Sequence, residues 1–144
     1  MRHGSRYRRP LGLMFDTGAS DTDGRPREGC AIAYRRVGTD PRAYLRTVAH
    51  ELGHVFNLGH PGEGLEPFGQ DSFNTLMVPT ESLNPARAEF RFTESQRDWL
   101  ANGPEDYVRP GGQEYGTRPA DWRPGGNGIA APAGVPLDNG PGWS

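Results

Sequence analysis

Four residues within eleven positions carry most of the chemistry this sequence offers: His50, Glu51, His54 and His60, in the stretch His-Glu-Leu-Gly-His-Val-Phe-Asn-Leu-Gly-His. Histidines four apart on a helix lie one turn above each other on one face and can grip a single metal ion. Glu51 sits about 100° round the helix from His50. There it can reach a metal-held water without being a ligand. His60 supplies a third nitrogen only if the helix stops and the chain turns between Phe56 and His60. Asn57 suits that turn, because asparagine tolerates the left-handed backbone that ends many helices, and Gly59 adds freedom just before the third ligand. Three imidazoles leave the fourth position of a zinc ion open to water, the pattern of a catalytic site rather than a closed structural one. The cofactor expected is therefore Zn2+, one per chain. Zinc would bring the pKa of its bound water down toward about 7, and Glu51 would take the proton.

The histidines need a helix, and the start signals for one arrive together: Asp40 as N-cap and Pro41 at the first helical position. At 100° per residue, Tyr44, Leu45, Val48, Ala49, Leu52, Val55 and Phe56 fall on an arc of roughly 140°, which is the expected core face. Arg42 and Arg46 are expected to face away, and His50 and His54 to occupy a separate flank. Before the helix, 11–15 (Leu-Gly-Leu-Met-Phe) and 30–34 (Cys-Ala-Ile-Ala-Tyr) read as short strands around a polar loop. After it, Thr93 and Gln96 make a capping-box pattern for a last helix with Trp99 and Leu100 inward, stopped by Asn102-Gly103-Pro104.

The zinc stretch resembles the extended signature HExxHxxGxxH of the metzincin metalloproteases, with Asn57 where most of that clan has glycine. The octet from His50 to Asn57 is similar to the version in the thrombospondin-motif branch of the adamalysin (reprolysin) proteases, although Pro61 stands where that branch has aspartate. A matrixin-like catalytic domain is the other close pattern within the clan. The resemblance implies an α+β zincin-like domain: a short mixed sheet, a zinc-binding active-site helix, a Met-turn and a C-terminal helix. It implies a zinc-dependent endopeptidase acting on protein or peptide substrates. By the same resemblance, Met77, seventeen residues beyond His60, is the methionine of the turn beneath the metal. Val78 and Pro79 would help wall the pocket for the residue after the cut bond. One of the two strands, with 30–34 able to serve, would pair antiparallel with bound substrate. Only forty-nine residues precede His50, so the chain reads as a minimal version of such a domain or as one truncated at its N-terminus.

Two other functions fit parts of the sequence. A non-catalytic zinc-binding module, or an inactive fragment of a larger metalloprotease, would use the same three histidines. An aspartic protease could use Asp16 in Phe15-Asp16-Thr17-Gly18-Ala19-Ser20, but no second copy of that motif follows. Asp21-Thr22-Asp23-Gly24 reads as a turn, since the other ligands of a calcium loop are missing.

The 144 residues suffice for one modest core. The peptidase-like domain is expected over 1–102, with a disordered start at 1–10. Residues 103–144 are about two-fifths glycine and proline and read as a tail that cannot fold alone. A net charge of −2 gives no general attraction to nucleic acid or membrane. All sixteen basic residues are arginine, and Cys30 is the only cysteine, so no intrachain disulfide can form. No apolar run has the length of a signal-peptide core or a membrane span. Natural location and oligomeric state are not encoded in these features.

Overall fold

A computed structural model describes residues 10–15, 25–63 and 73–123. The start at 1–9, the Asp16 and Asp21–Gly24 motifs and the last part of the tail, 124–144, lie outside the described residues. What is described is a small α+β arrangement. Two strands, β1 (Gly12–Phe15) and β2 (Gly29–Ile32), precede four helices: α1 (Tyr34–Val37), α2 (Pro41–Val55), α3 (Glu94–Asn102) and α4 (Glu105–Val108). Among the described residues the sheet is two-stranded and antiparallel rather than mixed, with Gly12 opposite Ile32 and Phe15 opposite Gly29. Both strands pack on α2. No described helix is long and apolar enough to cross a membrane.

Local chemistry sets the helix ends. The Asp40 side chain accepts the Arg42 N–H (2.9 Å), with Pro41 at the first position of α2. At the other end Asn57 adopts φ 65°, and its N–H and that of Leu58 close back on His54 and Gly53. In α3 the Thr93 side chain accepts from the Gln96 N–H while the Gln96 side chain accepts from the Thr93 N–H, a complete capping box.

The buried face of α2 is not the one its apolar pattern predicts. Of the expected arc only Val55 is fully buried; Tyr44, Leu45, Leu52 and Phe56 are exposed, Leu45 at 58%. Arg46, expected to face away, is buried beside Thr47, His50 and His54. This polar flank goes inside because backbone carbonyls satisfy much of it, although Arg46 Nε has no partner among the described residues. Arg46 Nη2 donates to Thr75 O (3.3 Å), Leu76 O (3.3 Å) and Val78 O (2.5 Å), and Thr47 Oγ1 donates to Ala43 O. The core proper is small: Leu58, Met77 and Trp99, with Phe92, Leu100, Tyr107, Val108 and Trp122 packed around them.

The stretch from Gly103 to Arg123, expected as the start of the tail, lies on the domain. Three polar side chains hold it there. The fully buried Arg27 donates to the carbonyls of Val55 (2.8 Å), Tyr107 (3.1 Å), Arg109 (3.1 Å), Gln113 (2.8 Å) and, more weakly, Val108 (3.5 Å). Asn57 Nδ2 donates to Tyr107 O (3.0 Å) and Thr117 O (3.1 Å), and Asn57 Oδ1 accepts from the Gly116 N–H (2.8 Å). Arg118 donates to Asn57 O and stacks 4.3 Å over the Trp99 ring, and Trp122 packs nearly perpendicular to that ring.

Candidate metal centre

His50 and His54 come from the buried flank of α2, and the turn at Asn57 swings His60 back toward them. The ring centroids stand 4.7 Å (His50–His54), 5.3 Å (His50–His60) and 4.8 Å (His54–His60) apart. One ligand atom from each lies within 4.8 Å of the others, close enough to hold one metal ion.

The hydrogen bonds fix which nitrogens face inward. A carbonyl oxygen can only accept, so His50 Nδ1 carries a proton and donates it to Leu76 O (2.7 Å), and His54 Nδ1 does the same to Leu58 O (2.8 Å). His60 Nδ1 lies 3.1 Å from a carboxylate oxygen of Glu63, which also accepts the His60 backbone N–H. With Nδ1 protonated in every ring, each neutral imidazole presents a bare Nε2. The Nε2 atoms of His50 and His54 are 3.1 Å apart. Two lone pairs at that distance repel unless a cation lies between them. A proton is a poor candidate for that cation at neutral pH, because burial pushes the His50 pKa down to about 3 and also lowers that of His54. The donor set thus fits a divalent metal that takes imidazole nitrogen, with a carbonyl or carboxylate behind every ring.

No family model, curated protein or solved structure matches this chain. Geometry therefore carries the functional argument.

Glu51 is buried beside the histidines and lines the same cleft as His50, His54 and His60. Desolvation holds its pKa above the usual carboxylate range. A Cβ at Gly12 would overlap the Glu51 side chain, so the glycine lets β1 run directly alongside it. It is β1, through Gly12, Leu13 and Met14, that borders the histidines. The strand at Gly29–Ile32 stands behind it.

Met77 is fully buried in the turn at 75–78, where the Val78 N–H bonds back to Thr75 O. Its sulfur packs on Gly53, leaving no room there for a Cβ, while Leu76 O of the same turn holds His50. Val78 is buried, and Pro79 borders a wider cleft of about 800 Å3 that also reaches His50, Glu51 and His60.

Sequence reasoning missed three residues of the site. Arg46 stands four residues before His50, on the stripe that His50 and His54 share, and that spacing was the available signal. Glu63 follows His60 by three residues, a spacing that could have suggested the pair. Tyr115, whose hydroxyl lies 3.2 Å from His54 Nδ1 and which lines the histidine cleft, has no local signal because it arrives from far down the chain.

Proposed function

We propose that this chain is a zinc-dependent endopeptidase of the metzincin type, with His50, His54 and His60 holding one zinc ion and Glu51 as general base. The observation that carries this reading is the convergence of three imidazoles, each backed at Nδ1, on a cleft that Glu51 also lines. Zinc, when bound, supplies Lewis acidity that polarises the scissile carbonyl and makes water acidic enough to be used near neutral pH. Glu51 takes the proton from the attacking water and returns it to the departing amine. Its burial favours the first step, since a carboxylate with a raised pKa is a stronger base.

Other residues then have positioning roles. An extended peptide lying along β1 would add a strand to the sheet, with Gly12 keeping the backbone close to Glu51. Met77 would act as the methionine of the Met-turn, fixing the floor through Gly53, and the carbonyl of Leu76 would fix the tautomer of His50. Pro79 would border the substrate cleft, with Val78 buried behind it.

The test is cleavage of an unstructured protein such as casein by the zinc-loaded chain, beside Glu51→Ala prepared identically. Loss of the base should cost on the order of 10²-fold or more, and a chelator should stop the wild type. One tightly bound zinc per chain with no turnover in either protein would refute the peptidase reading and leave a non-catalytic zinc module.

A further inference from the structure

We propose that a second cavity, opening beside the histidine cleft, is a specificity pocket for an acidic side chain of the substrate, glutamate above all, and that Arg46 selects it. The inference rests on the peptidase reading and specifies its substrate. The cavity has a volume of about 360 Å3 and apolar walls that include Leu11, Val37, Leu83 and Phe90. It shares Leu11, Thr47 and Thr80 with the wide cleft that reaches His50, Glu51 and His60. A peptide bond held at the histidines can therefore send a neighbouring side chain into it.

Three charged residues line the cavity: Asp40, Arg42 and Arg46. The first two are exposed and committed elsewhere, Asp40 as the N-cap of α2 and Arg42 over the Phe90 ring at 5.6 Å. Arg46 is different. It is only 5% exposed, and among the described residues no carboxylate pairs with it. Its Nη2 serves the carbonyls of the 75–78 turn. Among the described residues its Nη1 has only a 3.5 Å contact with the Thr80 hydroxyl, and its Nε has no partner. Burial alone lowers its pKa, with no neighbouring charge to raise it again. Holding the turn needs one nitrogen of the guanidinium, whereas the buried positive charge remains uncompensated in a cavity wall. A buried cation is costly unless paired, and a carboxylate is the geometric and electrostatic match for a guanidinium. Glutamate supplies that carboxylate on methylenes that can lie against the apolar walls. A neutral side chain of equal size leaves the charge unpaired.

The experiment uses internally quenched peptides in which one position at a time, on either side of the cut bond, is Glu, Gln or Leu, cleaved by the zinc-loaded chain. Binding of the same peptides to zinc-loaded Glu51→Gln is followed by fluorescence anisotropy, so the pocket is read without turnover. Glu should exceed Gln on the order of 10-fold to 100-fold in kcat/KM and in affinity, and Arg46→Met should erase the difference. Should Arg46→Met fail to fold, Arg42→Met is the second variant: it should leave the Glu-to-Gln ratio unchanged, and loss of the ratio there would overturn the assignment to Arg46. Equal binding of Glu and Gln peptides, binding of neither, or a preference for Leu overturns the inference. Arg46-dependent preference for Glu in binding, without cleavage by the wild type, upholds the pocket and refutes the peptidase.

Discussion

Replacing Asn57 with glycine separates two accounts of that residue. If its role is only to supply a left-handed turn at φ 65°, glycine should serve at least as well, because it adopts that conformation without penalty. The structure gives Asn57 a second role. Its buried side chain makes three hydrogen bonds, two donated to Tyr107 O and Thr117 O and one accepted from the Gly116 N–H. At about 1 kcal/mol each, their loss removes about 3 kcal/mol. Relief of the left-handed backbone returns roughly 1 kcal/mol, much of it offset by the greater freedom of glycine in the unfolded chain. The net expectation for Asn57→Gly is a destabilisation of about 2–3 kcal/mol. Asn57→Ala, which loses the bonds and keeps the strain, should cost about 3 kcal/mol, at least as much as glycine. Urea unfolding of both variants beside the wild type, at fixed zinc, measures this as a shift in midpoint of roughly 1–2 M. Limited proteolysis should show early cleavage between Tyr107 and Arg118. An Asn57→Gly protein as stable as the wild type would refute the second role and return Asn57 to a mere turn residue.

Glu63→Gln should weaken zinc binding on the order of 10-fold, because His60 loses the carboxylate behind its Nδ1; competition with a chromogenic chelator measures it, and an unchanged affinity would remove Glu63 from the site. Gly12→Ala should lower kcat/KM by about tenfold or more with zinc content unchanged, since the added methyl displaces the Glu51 side chain from its working position. The metal-free chain should lose stability in acid. Burial depresses the folded pKa of His50 to about 3 and that of His54 below its ordinary value, so below about pH 6.5 the unfolded chain binds protons that the folded chain refuses. Their contribution is present in full above that pH and is lost as pH falls toward 3, with the raised pKa of Glu51 opposing in part. Urea midpoints between pH 7 and 4 measure it, and a flat profile would contradict the burial described.

Local signals were legible wherever a few adjacent residues decide the outcome. The caps at Asp40 and Thr93, the stop at Asn57 and the spacing of His50, His54 and His60 each act within one or two helical turns, and each appears in the structure. The strands near 11–15 and 30–34 were found to within a residue or two for the same reason. The packing of α2 was not legible, because apolar periodicity assumes that the apolar side goes in. Here Arg46 and the histidines bring their own partners, the carbonyls of 75–78 and of Leu58, and that largely satisfied polar flank is buried instead. Tyr115 and the docking of 105–123 depend on Arg27 and Asn57, residues 50 or more positions away from most of their partners, which no window of sequence contains.

The lysine-free composition acquires a meaning from Arg27, Arg46 and Arg118. With only eight residues in strands among those described, long stretches of coil must find donors for their carbonyls outside any ladder. The three guanidinium groups supply them: five carbonyls at Arg27, three at Arg46 and two at Arg118. Side chains here do what a sheet does elsewhere. An ammonium group has three donors on one nitrogen and no planar fork, so it cannot span the five carbonyls that Arg27 reaches with three nitrogens. Neutral drift from arginine to lysine, harmless over most protein surfaces, is closed to this chain at position 27.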